Sequence, residues 1–164
     1  MSNKANSIVI VDDDRHFASR VEYELEMNGY TNARTFHEPQ DFLDSLEKEP
    51  YLVILDFQFD DTTGLDVLRE IKTLNPEIHV IMFSGQEYIC NAVSTLEYVA
   101  YDYVLKDDMA FDNLDKVMTN LNGVLSIRKE VKSLRKTVKK QNRRFAWTLF
   151  GVVLLVALSF RFIH

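Results

Sequence analysis

Residues 52–68 read LVILDFQFDDTTGLDVL, and the fold follows from how that stretch divides. Leu52-Val53-Ile54-Leu55 is an unbroken apolar run that stops at Asp56. A short run with no polar alternation suits a strand buried on both faces, the environment of a parallel sheet covered by helices. After a polar turn the pattern becomes helical from Leu65 to Leu74, and Asn75-Pro76 closes it.

The same arrangement repeats on either side. Ser7 to Val11 is a second buried run, and Asp14 to Met27 spaces Phe17, Val21 and Leu25 as one helical face before Asn28-Gly29. Thr31 to Phe36 reads as a weaker strand. Glu38 to Lys48 is a helix with Phe42, Leu43 and Leu46 together. Tyr51 to Leu55, Ile78 to Phe83 and Tyr101 to Leu105 complete five strands, with a helix expected over 86–97. Strands alternating with helices imply right-handed crossovers, hence an α/β fold with a parallel sheet and helices on both faces. In such sheets ligands bind at the carboxyl ends of the strands.

Those ends are polar. The first strand runs into Asp12-Asp13-Asp14, the third into Asp56, the fourth into Ser84 and the fifth into Lys106. Taken alone, the aspartate run is equally a helix N-cap. Taken together, the groups describe a site. Close carboxylates repel, and a divalent cation relieves that repulsion; Mg²⁺ suits an all-oxygen set. Phosphoryl transfer needs mainly positioning and charge neutralisation. Asp56 is then the nucleophile, Asp13 helped by Asp12 holds the metal, Lys106 pairs with a phosphoryl oxygen, and Ser84 donates a hydrogen bond to another.

The segments IVIVDDD, LVILDFQFDDTTGLDVL, VIMFSG and YDYVLK, spread over roughly residues 5–125, together resemble the receiver domain of bacterial two-component response regulators. The resemblance implies a flavodoxin-like five-stranded parallel sheet in the order 2-1-3-4-5. It implies phosphotransfer to Asp56 from a histidine kinase or phosphotransfer protein, with Mg²⁺ on Asp13, Asp56 and the backbone carbonyl of Gln58. It further implies that Ser84 moves toward the phosphoryl group and that Tyr103 changes rotamer with it. The chain departs from the family pattern at Asp107 and Asp60, where prolines are usual, and at Val99, where glycine is usual.

Charge separates the chain into two parts. Residues 1–127 hold 9 basic and 24 acidic side chains (9 − 24 = -15), and residues 128–164 hold 10 basic and one acidic (10 − 1 = +9), which sum to the net -6. An acidic body argues against nucleic-acid binding. Cys90 is the single cysteine, so no intramolecular disulfide forms. The N-terminus lacks the long apolar core of a signal peptide.

From Phe111 a long helical pattern begins. Val124, Val131, Val138 and Phe145 fall at one heptad position and Ile127, Leu134 and Gln141 at the other, which favours a parallel two-stranded coil and hence a homodimer. Arg128–Arg144 holds nine basic residues, a cluster suited to anionic lipid headgroups. The charge-free run Phe145 to Phe160, extended to Ile163, reads as a single-pass transmembrane anchor holding the domain on the cytoplasmic face of the inner membrane. The expected organisation is therefore a receiver over 1–123, a basic and coiled-coil helix over 124–144, and an anchor over 145–163. The function expected is a membrane-tethered signalling switch acting on an unidentified downstream protein. Its rival is a phosphorylation-independent adaptor that localises a partner at the membrane.

Overall fold

The protein is described by a computed structural model covering residues 7–46, 50–85 and 100–162; side chains beyond Arg143 are described only for Phe145. Chain contacts group it into two units, Met1–Val117 and Met118–His164.

The first unit contains five strands: β1 (Ile8–Val11), β2 (Ala33–Phe36), β3 (Leu52–Asp56), β4 (His79–Ser84) and β5 (Asp102–Leu105). They form one sheet in the order β2-β1-β3-β4-β5, every pairing parallel. The unbroken apolar runs account for the central position of β1 and β3: every residue of both is buried. Edge strand β2, with sequence ARTF, is only half-buried, as a strand with one neighbour and polar side chains should be.

Helix α1 (Arg15–Met27) starts at Asp14, whose carboxylate accepts the N–H groups of His16 and Phe17 at 2.9 and 3.2 Å. It buries Ala18, Val21 and Leu25. Gly29 takes the left-handed conformation (φ 83°) that ends the helix. The short α2 (Pro39–Asp44) starts on proline, whose missing N–H has no partner to lose there. Helix α3 (Gly64–Leu74) is capped by Thr63, whose hydroxyl donates to Asp66 at 2.6 Å and accepts the Asp66 N–H at 3.3 Å. One core cluster joins Val9, Val11, Val53 and Leu55 of the sheet to Phe42 of α2 and Val67, Leu68 and Ile71 of α3. The helix expected over 86–97 lies outside the described residues.

Helix α4 runs from Ala110 to Phe162, 53 residues. Its first turns bury Ala110, Leu114 and Val117. The expected transmembrane anchor over 145–163, and with it the placement on the cytoplasmic face of the inner membrane, is overturned. Among the described residues no helix is long and apolar enough to cross a membrane. The physical reason is charge spacing. From Arg128 to Arg144 a basic residue recurs every third position or closer, and the charge-free run 145–160 has 16 residues before Arg161, short of the ~20 a spanning helix needs.

Candidate functional site

Parallel pairing sets Val11 opposite Leu55, so the next residues, Asp12 and Asp56, emerge side by side at the carboxyl ends of β1 and β3. The chain order reverses between these two strands, and such a switch point opens a crevice. Asp12 is 3% exposed and Asp56 6%, whereas Asp13 faces solvent. Oxygens from the three carboxylates all lie within 4.8 Å of one another.

Backbone groups fix the two buried carboxylates. Asp12 Oδ1 accepts the Asp14 N–H at 2.9 Å, and Asp56 Oδ1 accepts the Phe57 N–H at 2.7 Å. His37 Nδ1 lies 2.9 Å from the Asp12 carbonyl oxygen. Asp14 belongs elsewhere: its carboxylate is held below the usual range by the Phe17 and His16 N–H groups at the α1 terminus.

The remaining oxygens share one cation. Lys106 Nζ sits 2.8 Å from Asp12 Oδ2 and 2.9 Å from Asp56 Oδ2. Its backbone N–H donates to the Ser84 carbonyl at 2.8 Å, which ties the end of β5 to the end of β4. No cis peptide bond occurs among the described residues, so with Asp107 in place of proline the lysine reaches both aspartates from a trans backbone. Its ammonium also lies 4.3 Å from the centre of the Phe17 ring, itself packed edge-on to Phe83 at 5.3 Å.

Burial dominates the electrostatics. It pushes the Asp12 carboxyl up to about 6 against the pull of Lys106, with the Asp56 charge adding to the rise. Burial likewise raises Asp56, while Lys106 and the Phe57 N–H oppose it. Burial works to neutralise Lys106, but its two aspartate partners outweigh that and hold it above the usual lysine range. With all groups ionised, three carboxylates and one ammonium leave two net negative charges.

The other residues singled out from the sequence lie on these strands or just beyond them. Ser84 is the last residue of β4 and 2% exposed. Tyr103, on β5, packs its ring against the core cluster. Gln58 stands two residues beyond Asp56, turns its N–H toward that carboxylate and bridges to Thr63. Gly64 closes the loop, donating its N–H to the Phe57 carbonyl at 2.7 Å. A Cβ there would overlap the Asp56 carbonyl oxygen and approach Phe57 Cα to 2.8 Å. Gly64→Ala is therefore expected to lower stability by about 2 kcal/mol through backbone displacement, read as a lower denaturation midpoint in urea with an unchanged slope.

The sequence profile described as "Response regulator receiver domain" matches residues 8–129. The chain belongs to this family. This receiver is similar in structure to a CheY-like receiver domain protein from Methanospirillum hungatei (28% identity, TM-score 0.62, covering 72% of this chain and 94% of that one). It is also similar to TrrA from Thermotoga maritima, solved in complex with Mg²⁺-BeF (26% identity, TM-score 0.63, 71% of this chain and 98% of that one). NtrX from Brucella abortus matches at 34% identity and TM-score 0.67, over 80% of this chain and 30% of that one. DrrB, also from T. maritima, matches at 30% identity and TM-score 0.58, over 70% of this chain; the receiver spans 49% of DrrB's length.

Receiver domains bind Mg²⁺ at an acidic aspartate pocket, and the residues here fit that ion. The donors are hard oxygens, the net charge of two matches a divalent cation, and exposed Asp13 leaves a side open for the waters Mg²⁺ keeps. Two contributors carry no mark in the sequence. Phe17 stands in an apolar helical stripe and reads as core; its contact with Lys106 joins positions 89 apart and has no local signal (106 − 17 = 89). Gly64 sits at the mouth of a helix, and only the approach of the β3 backbone explains it.

Proposed function

We propose that this receiver accepts a phosphoryl group on Asp56 from a histidine kinase or phosphotransfer protein and signals through protein–protein contacts. The observation that supports this best is the shared ion pairing: Lys106 bridges Asp12 and Asp56, two nearly buried carboxylates at adjacent strand ends.

A carboxylate oxygen of Asp56 attacks the phosphorus of a phosphohistidine. The new P–O bond forms as the P–N bond breaks, and the imidazole nitrogen leaves with the electron pair and takes up a proton. Asp12, Asp13, Asp56 and the Gln58 carbonyl would hold Mg²⁺, which supplies positive charge to the phosphoryl oxygens. Lys106, already within hydrogen-bond reach of Asp56, exchanges a carboxylate partner for a phosphoryl oxygen. The Ser84 hydroxyl donates to a second oxygen, and Tyr103 follows by changing rotamer. Binding of a kinase or a phosphotransfer protein suits the family, since receiver domains interact with such proteins. TrrA, with its bound Mg²⁺-BeF, gives the metal assignment its support.

Incubation with Mg²⁺ and a small phosphodonor such as phosphoramidate is expected to add one phosphoryl mass to the wild-type chain. Chelation of the metal and Asp56→Asn should each abolish the addition. Modification that survives in Asp56→Asn would refute the assignment. A wild-type chain that stays unmodified while folded and Mg²⁺-bound would favour the phosphate-independent adaptor.

A further inference from the structure

Beyond the domain, α4 exposes a stripe that helices in water normally cover. Val124, Ile127, Val131, Leu134 and Val138 are 40, 62, 42, 57 and 55% exposed. Their spacing alternates by three and four residues, the period of a two-stranded seam rather than of a helix packed on a sheet. Valine recurs at the first heptad position, and β-branched residues there with leucine at the second, as at Leu134, favour two parallel strands; isoleucine holds the other second position, 127. We propose that residues 124–141 pair with the same segment of a second copy of this chain as a parallel coiled coil.

Charge placement names the partner and its direction. In this register Lys129, Lys132, Lys136, Lys139, Lys140 and Arg143 all fall at positions turned away from the seam. The sole acid of the stretch, Glu130, falls just before the seam position of Val131. In a parallel pair that site faces the residue five further along the other strand, which is the partner's Arg135. Two symmetric Glu130–Arg135 ion pairs result. The antiparallel arrangement sets Arg128 and Arg135 of the two copies against one another and leaves Glu130 without a cation. Within its own helix Glu130 has Ser126, Ile127, Ser133 and Leu134 at three and four residues' distance, so none of its helical neighbours is basic. Gln141 at the next seam position keeps the pairing short and the dimer concentration-dependent.

The test is sedimentation equilibrium of the full chain over a range of concentrations. Wild type is expected to approach a dimer. Glu130→Arg and Arg135→Glu should each weaken self-association roughly tenfold, and the doubly substituted chain should regain it. Residues five apart do not meet on one helix, so recovery reports contact between copies. A wild type that stays monomeric would overturn the proposal. So would single variants that associate as well as wild type, which would locate association elsewhere, and so would a double variant that stays weak, which would exclude the parallel register. None of these outcomes bears on Asp56, because the proposal is independent of phosphoryl chemistry.

Discussion

Lys106→Met is expected to lower stability by about 3–5 kcal/mol near pH 8, the cost of removing one partner from a buried ion pair. The lysine is 18% exposed and its two partners 4 and 8%, so solvent cannot replace it. Methionine keeps the volume and the contact with Phe17 but not the charge. Two nearly buried carboxylates then face each other without a cation. The loss should shrink as pH falls. Lys106 itself stays charged throughout, since its pKa is raised and its contribution fades only above the usual lysine range. Asp12, however, takes up a proton below about pH 6, and a neutral carboxyl no longer needs the ammonium. Added Mg²⁺ should narrow the gap between variant and wild type by supplying the missing positive charge. Urea denaturation at pH 8 and pH 5, with and without Mg²⁺, reads all three effects. A loss that is equal at both pH values would mean that packing, not charge, explains it.

The second large effect has the opposite sign. Asp12→Asn is expected to stabilise the metal-free protein by about 2 kcal/mol at pH 8. A carboxyl whose pKa rises from 3.8 when unfolded to about 6 when folded favours folding fully below pH 4. That contribution is lost as pH climbs through 6, and each tenfold difference in proton affinity between the two states is worth ~1.4 kcal/mol. Wild type should therefore lose stability between pH 4 and 6 on account of this group, and the variant should not. The gain falls short of the full difference because asparagine has one carbonyl oxygen. It cannot accept both the Asp14 N–H and the Lys106 ammonium, as Asp12 does. With Mg²⁺ the order should reverse: the ion stabilises wild type by binding only the folded state, and the variant has lost a ligand. Melting curves over pH 4–8, with and without Mg²⁺, test this. A variant less stable than wild type at pH 8 without metal would show that Asp12 is structural.

These two predictions explain why the strand ends are legible in the sequence while the balance of forces there is not. The runs IVIV and LVIL carry their burial in their composition, and the sheet order follows from the family resemblance that the alternating strands and helices support. The crevice rule then points to Asp12, Asp56, Ser84 and Lys106 as neighbours, because parallel strands end at one level. What composition does not carry is which carboxylate an ammonium will choose. Lys106 pairs with both Asp12 and Asp56, a geometry fixed by the Ser84 carbonyl holding its backbone and by the Phe17 ring beside its ammonium. Departures from the family pattern are equally hard to weigh from residues alone. Asp107 in place of proline bears directly on the loop, yet the trans backbone delivers the lysine. The C-terminal helix is where the sequence misleads. Hydrophobicity beside a basic cluster suggests a membrane span, but hydrophobic character counts for crossing only when it is long enough, and among the described residues no helix meets that condition.

The central claim is that position 56 is where phosphorus becomes attached, and locating the adduct tests it most directly. After loading with phosphodonor and Mg²⁺, borohydride reduction converts an aspartyl phosphate to homoserine, and peptide sequencing by mass spectrometry finds the converted residue. Homoserine at position 56 alone is the expected result. Homoserine at 12, 13, 60 or 61, or a phosphorylated histidine with position 56 untouched, would contradict the account.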